Sequence, residues 1–185
     1  MIRVVAAVAA ELGDLDGVAL GVGVVPAGLA AARLLAAERP DAVVLVGTAG
    51  AYGDVPIGAV VAARRVGLVS GTATLGLGYV PLAPPPLPTD PALRAALGLP
   101  EADVATLVAI TTDPALAGRI GADWQIEHME AYGVAAACAA VGVPFAAVLG
   151  VTNRVGPAAH AEWKAHRDAC QRAAGAAVAR VLASR

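Results

Sequence analysis

Aromatic side chains are scarce: one phenylalanine, three tyrosines and two tryptophans make up 3% of the 185 residues. A core short of rings has to be filled by alanine, valine and leucine, which demands close approach of helices and strands and leaves few large ring-filled pockets. Basic charge is also thin. Thirteen basic against fifteen acidic residues give a formal charge of -2. The only adjacent basic pair before the C-terminal helix is Arg64-Arg65, and Lys164 is the sole lysine. Nucleic acid and anionic membrane are therefore not expected partners. There are two cysteines, Cys138 and Cys170, in alanine-rich surroundings with no metal or redox spacing. They read as buried free thiols, and a cytoplasmic location is expected. No run of about eighteen apolar residues escapes interruption by glycine, proline or charge, so no membrane span is expected. The opening "MIRVVAAVAAELGD" is valine-rich like a strand and is broken by Glu11, unlike a targeting segment.

What is present is a 58% hydrophobic chain of single-domain length, residues 1–185, with a regular alternation. Short β-branched runs at 2–8, 18–22, 42–46, 59–63, 104–110 and 145–151 read as buried strands. Alanine-rich segments at 27–38, 91–97, 130–141 and 157 to about 183 carry helical spacing. In the last of these Trp163, Arg167, Cys170, Ala174, Ala177 and Val181 share one face. The expected fold class is α/β: a single domain with a mixed central β-sheet flanked by helices on both faces. "YVPLAPPPLPTDP", residues 79–91, is too rich in proline for helix interior or central strand and reads as a surface loop, a lid or an interface arm.

In open α/β sheets ligands bind beyond the carboxyl ends of the strands. Four polar places follow strands here: Glu11; "GTAG" at 47–50, containing Thr48, Ala49 and Gly50; the acidic pair Glu127 and Glu130 around Met129; and "TNRVG" at 152–156, containing Asn153. Each alone also has a bland reading, as a tight turn or a loop cap. Their joint placement is what points to a site.

These stretches, in order, resemble the nucleoside phosphorylase and nucleosidase superfamily over nearly the whole chain. "AAVAAEL" is similar to the segment whose final acid, here Glu11, positions the attacking water in the nucleosidase branch. "GVGVVPAGLAAARLL" resembles the family's glycine turn and first long helix, and "PDAVVLVGTAGAYG" its strand and small-residue segment against purine and ribose. "IEHMEAYGVAAACAAVGVPF" resembles the ribose-binding signature, in which Met129 packs beneath the sugar and Glu130 accepts from its hydroxyls. "LGVTNRVG" followed by Trp163 looks most like futalosine hydrolases. The resemblance implies release of hypoxanthine from futalosine in menaquinone biosynthesis, with no cofactor or metal, by a homodimer or higher homo-oligomer. A methylthioadenosine/S-adenosylhomocysteine-type nucleosidase, a phosphorylase and a shortened nucleoside-binding homologue are the alternatives.

Physical chemistry agrees. Cleaving an N-glycosidic bond builds positive charge on the sugar and negative charge on the base, so acceptors belong near the ribose and donors near the base. Glu130 suits the first and Asn153 the second, while Glu11 suits the general base that deprotonates water. Thr48 either helps hold water or sugar or simply closes its strand. An asparagine amide offers both a donor and an acceptor and complements a 6-oxopurine edge; it serves equally as a loop cap. No arginine stands in "AAVAAELGD" or "VVLVGTAG", where relatives place phosphate ligands, which favours water over phosphate as nucleophile.

Some features depart from the family pattern. The segment between Ile110 and Glu127 is short where relatives carry a base-stacking aromatic. Trp124 or Tyr79 could substitute, although packing or surface structure is the commoner role for each. Tyr132 replaces a small residue and would narrow or block the pocket. His128 reads as a hydrogen-bonded neighbour of the acids or a surface residue. His160 and His166 fall on different helix faces, which argues against a shared metal. Arg154 reads as an exposed loop residue or as a partner for an acidic substituent.

Overall fold

The computed structural model describes residues 1–183. In chain order the elements are β1 (Ile2–Ala6), α1 (Ala9–Leu12), β2 (Gly17–Ala19), α2 (Val24–Glu38), β3 (Ala42–Ala51), β4 (Val60–Leu68), α3 (Gly71–Thr74), β5 (Leu87–Pro88), α4 (Pro91–Leu97), β6 (Glu101–Thr106), α5 (Pro114–Ile120), β7 (Ile126–His128), α6 (Ala131–Val141), β8 (Phe145–Arg154) and α7 (Ala159–Ala183).

All eight strands belong to one mixed sheet. Strand β3 lies between β1 and β8, parallel to both, and near its end also meets β7 in an antiparallel pair. Strand β4 pairs with β8 and β5 antiparallel and with β6 parallel, and β6 runs parallel to β7. The circuit β3, β8, β4, β6, β7 thus closes on itself, and β1 with β2 extends from it as an open wing. Successive side chains of a strand face opposite ways, and β3 shows the consequence. Val43 and Leu45 pack with Ala27, Leu34, Val134 and Cys138 of α2 and α6. Val44 and Val46 pack with Leu93, Ala174 and Val178 of α4 and α7. The single α/β domain with helices on both faces agrees with the sequence expectation.

The long helices fall where alanine spacing placed them. On α7 Cys170, Ala174, Ala177 and Val181 are buried, but Arg167 is exposed and Trp163 is only half-buried. The cysteines are free and buried, and burial pushes the Cys138 thiol up to about 12. No helix among the described residues is long and apolar enough to cross a membrane.

Several boundaries differ from expectation. Strand β4 runs on through the charged Arg64-Arg65 pair because a bulge between Ala63 and Arg65 turns both guanidiniums onto the buried Asp103. Strand β6 stops at Thr106, and Val108 and Ile110, expected to be strand, are exposed. The proline-rich segment is a largely exposed loop, pinned by the two-residue β5. The most consequential difference is that "GTAG" and "TNR" are not loops: β3 and β8 continue through them, and Glu127 lies on a strand of its own, β7.

Candidate active site

Glu11 stands on the single turn of α1, immediately beyond β1, and is 8% exposed. Its Oε1 accepts from the Thr48 amide at 3.2 Å and from the Thr48 hydroxyl at 3.3 Å. Its Oε2 is buried and meets no donor among the described residues. Burial raises the carboxyl above its ordinary value and Glu130 adds to the rise, while His128 and the Thr48 and Val8 amides oppose it. Thr48 thus holds one oxygen of the acid through both its amide and its hydroxyl.

Glu130 heads α6 and is also buried, with 4% exposure. Its Oε1 accepts from the Gly23 amide, at the start of α2, at 2.7 Å. That meeting depends on two glycine-bearing helices crossing closely: a side-chain carbon on Gly133 of α6 would stand 2.2 Å from the carbonyl oxygen of Val24, and one on Gly28 would touch Gly133.

Between the two acids lies His128, the last residue of β7. Its Nδ1 is 3.1 Å from the Glu130 amide and 3.2 Å from the Ala131 amide, and Glu130 Oε2 lies 3.2 Å away. A protonated Nδ1 could serve only the carboxylate, stranding two buried backbone donors at a cost of about 1–3 kcal/mol each. Accepting from both amides is the better solution and fixes the proton on Nε2. The next amide of the helix, that of Tyr132, donates to Thr106 Oγ1 at 3.0 Å. The apolar α6 thus enters the core with its first donors satisfied.

The third component comes from β8. Along β3 and β8, Ala49 faces Val151 but Gly50 faces Asn153, so Thr152 is the extra residue of a bulge. Bulges re-aim side chains, and here the consecutive Thr152 and Asn153 both line one pocket. Thr152 Oγ1 lies 2.8 Å from Asn153 Oδ1 and 3.2 Å from Ala49 O, and Asn153 Nδ2 donates to Arg154 O at 3.0 Å. Gly50 lies under this amide: a carbon on it would come within 2.8 Å of Asn153 Nδ2.

The pocket measures about 500 Å³. Ala49, Gly50, His128, Met129 and Asn153 line it, together with Ile110, Thr112, His160 and Trp163. Glu127 contributes to the lining, and each of its oxygens accepts one hydrogen bond from the protein. The Tyr52 hydroxyl donates to Oε2, and the Thr111 amide donates to Oε1 at 3.0 Å. Burial and the neighbouring Glu127 push the Tyr52 hydroxyl up, which keeps it a donor. Glu127 ties the Thr111 loop to β3 and shapes the pocket edge.

Every residue expected from sequence is at this corner of the fold: Glu11, Thr48 and Glu130 in one cluster, and Ala49, Gly50, Glu127, Met129 and Asn153 around the adjoining pocket, with His128 common to both. The proposed substitutes for the stacking aromatic are elsewhere. Trp124 lies across Gly67 with the Arg65 guanidinium 4.9 Å from its ring, and Tyr79 is 84% exposed. The ring at the pocket is Trp163, stacked on His160 at 5.9 Å with Arg167 on it. Tyr132 does not block the site; its ring is in the core and its hydroxyl donates to Pro85 O at 3.4 Å. Arg154 is exposed and outside the pocket lining. Sequence gave no sign of the Gly23 amide or of the Tyr52 contact, because a backbone donor and a partner 75 residues away leave no local pattern. Among the described residues no cluster of histidine, cysteine or acid could hold a metal ion.

A family model described as the Phosphorylase superfamily matches residues 13–184. The chain belongs to that superfamily. Among solved structures, a futalosine hydrolase mutant of Helicobacter pylori is similar at 18% identity, with 100% of this chain and 99% of that chain covered and a TM-score of 0.88. A mutant methylthioadenosine nucleosidase of Helicobacter pylori with 5'-methylthioadenosine in its active site is similar at 17% identity, 100% and 98% coverage and a TM-score of 0.88. The methylthioadenosine/S-adenosylhomocysteine nucleosidase of Neisseria meningitidis, in complex with methylthio-immucillin-A, is similar at 20% identity, 100% and 99% coverage and a TM-score of 0.84. These likenesses establish the fold. No curated protein matches the sequence.

Proposed function

We propose that this protein is a purine nucleoside N-ribosyl hydrolase, with futalosine as its substrate and hypoxanthine as the released base, acting in the cytoplasm as a homodimer. The observation that carries the reading is the state of Glu11: a buried carboxylate with one oxygen held by Thr48 and the other without a donor, one histidine away from a second buried acid and a nucleoside-sized pocket.

In this reaction the water oxygen bonds to C1′ of the ribose while the bond from C1′ to the purine nitrogen breaks, its electron pair leaving with the base. Glu11 takes the water proton, and the base regains a proton through solvent. A carboxyl raised by burial is a stronger base than an ordinary glutamate, which suits this task. Glu130 has lone pairs beyond the one used by Gly23, and these accept from ribose hydroxyls and stabilise the ribosyl cation. Met129 packs against the sugar, Trp163 against the base, and the Asn153 amide reads the oxygen-bearing edge of the purine. With no arginine or lysine among the pocket residues, phosphate finds no permanently charged side chain there, which favours water as nucleophile.

A methylthioadenosine-type substrate is the second reading. It is favoured by the apolar groove of about 530 Å³ that adjoins the pocket at Ile110 and Thr112 and includes Leu75, Leu77, Val80 and Val108. Purified protein given futalosine, inosine and methylthioadenosine in phosphate-free buffer separates the readings by chromatography of the released base. Hypoxanthine from futalosine is expected; adenine from methylthioadenosine alone transfers the assignment to the second reading. No base from any of the three overturns hydrolysis.

A further inference from the structure

The side-chain amide of Asn153 is hydrogen-bonded to its two chain neighbours: Oδ1 lies 2.8 Å from Thr152 Oγ1, and Nδ2 donates to Arg154 O at 3.0 Å. Its direction is therefore set by how those two residues are held, and each is held by α7. The Arg154 amide donates to Glu162 Oε2 at 2.7 Å. His166 Nδ1 lies 3.1 Å from Thr152 O and 2.8 Å from Glu162 O. Both partners are carbonyl oxygens, which only accept, so the hydrogen of these contacts is on Nδ1. One turn further on, Cys170 Sγ donates to Val151 O at 3.2 Å. Glu162, His166 and Cys170 follow at four-residue steps and share one face of the helix. The helix lies tight on β8 at Gly150, where a side-chain carbon would stand 2.6 Å from Cys170 O.

We propose that Glu162 and His166 are positioning residues for base recognition: by gripping Arg154 and Thr152 they hold the bulge of β8 in the form that turns the Asn153 amide into the pocket. A bulge disrupts the ladder locally and leaves its extra residue unpaired in it. Here the extra residue is Thr152, and a side chain of α7 supplies a donor to its carbonyl. With one hydrogen and one lone pair used by its neighbours, the Asn153 amide keeps a second N–H and a second lone pair for a purine edge. The same helix brings His160 and Trp163 into the pocket lining from the turns just before His166. The start of α7 thus fixes the reading amide and the adjacent ring as one unit, so that a shift of the helix moves both together.

This inference rests on Asn153 as the base-reading residue, and the test separates the two. His166→Phe keeps a ring and removes the donor, whereas His166→Asn keeps an N–H close to the place of Nδ1. On the nucleoside that the wild type hydrolyses fastest, His166→Phe is expected to lower kcat/KM about tenfold, the equivalent of one hydrogen bond. It should also narrow the preference between hypoxanthine-bearing and adenine-bearing nucleosides, while His166→Asn stays within about threefold of wild type. Glu162→Ala and Glu162→Gln should behave as the same pair at the other end of the grip, since glutamine keeps an acceptor for the Arg154 amide. The deciding measurement is a double-mutant cycle: in the Asn153→Ala background, His166→Phe should cost no more than about twofold. Equal losses in both backgrounds, or no loss when Asn153 is present, overturn the positioning role, because a merely structural histidine acts whatever stands at position 153. If Asn153→Ala alone leaves kcat/KM unchanged, Asn153 does not read the base and the proposal falls with it. If the wild type releases no base, hydrolysis fails, and the same cycle is read as hypoxanthine affinity by titration calorimetry. A loss confined to the proteins that keep Asn153 then supports the proposal, and an unchanged or absent affinity overturns it. Nitrogen-15 NMR checks the grip without ligand: a His166 Nδ1 that bears no hydrogen overturns it.

Discussion

The bare Cα of Gly133 lies against the carbonyl oxygen of Val24, and a side-chain carbon there would stand 2.2 Å from it. This contact lets α2 and α6 cross closely enough for the Gly23 amide to bind Glu130. Gly133→Ala is expected to cost about 1–3 kcal/mol through overpacking, lowering the melting temperature by about 2–4 °C per kcal/mol. Since the helices must part, Glu130 loses its donor and KM for nucleoside should rise. Calorimetry and steady-state kinetics check the two effects together.

Glu11 gives a prediction of opposite sign. Its folded-state carboxyl is raised, so the native protein binds this proton more tightly than the unfolded chain does. Its contribution to stability is complete at low pH and is lost as pH rises from the ordinary glutamate value through the raised one. Glu11→Gln, which cannot ionise, should therefore gain in melting temperature relative to wild type on going from about pH 4 to about pH 7. The same variant should lose at least about a hundredfold in kcat. In the wild type the acid limb of kcat/KM should lie above the ordinary glutamate range.

Asp103 behaves the other way. Burial raises its carboxyl, but the Arg64 and Arg65 guanidiniums prevail and hold it below the usual range. The stability it contributes is present above the unfolded value and lost as pH falls through the folded one. Asp103→Asn should therefore flatten the acid side of a plot of melting temperature against pH.

Gly50→Ala tests the Asn153 amide. The added methyl would come within 2.8 Å of Asn153 Nδ2, the far end of a side chain that can swing away. Thermal stability should change little, while kcat/KM should fall toward that of Asn153→Ala, itself expected to be down about a hundredfold. Asn153→Asp should shift preference from hypoxanthine-bearing toward adenine-bearing nucleosides, measured as the ratio of kcat/KM.

The arm before α4 exposes Leu77, Tyr79 and Leu82 at 76%, 84% and 89%, beside exposed Val108 and Ile110. Apolar side chains grouped in this way mark an interaction surface, and a second copy is the partner proposed for it. Light scattering should give twice the chain mass. Leu82→Glu with Leu77→Glu should yield monomer and raise KM, because Ile110 belongs to both this surface and the pocket.

Much of the fold is legible in the sequence because strands buried on both faces and alanine-rich helices repeat with their own periods. The limits of α4 follow from Asp90, Pro91 and Gly98: the Asp90 side chain accepts from the Leu93 amide and Gly98 adopts the left-handed conformation. Less legible are β5 and β7, two and three residues long, because strands that short carry no period and exist only through their partners. Val108 and Ile110 are β-branched like strand residues but find no strand to pair with, and the same composition becomes a pocket rim.

The site divides in the same way. Glu11, Glu130 and Asn153 are set by sequence as polar residues next to apolar elements, where an unpaired charge is costly enough to need a reason. Only the tertiary structure decided what each faces: that Thr48 holds Glu11, that a bulge at Thr152 turns Asn153 into the pocket, that Tyr52 and Thr111 donate to Glu127, and that the first amides of α6 donate to His128. The chain alone determines which groups must be satisfied once buried. Which partner satisfies them depends on hydrogen-bond directions within about 3 Å, set by the crossing of helices and the register of strands far apart in sequence.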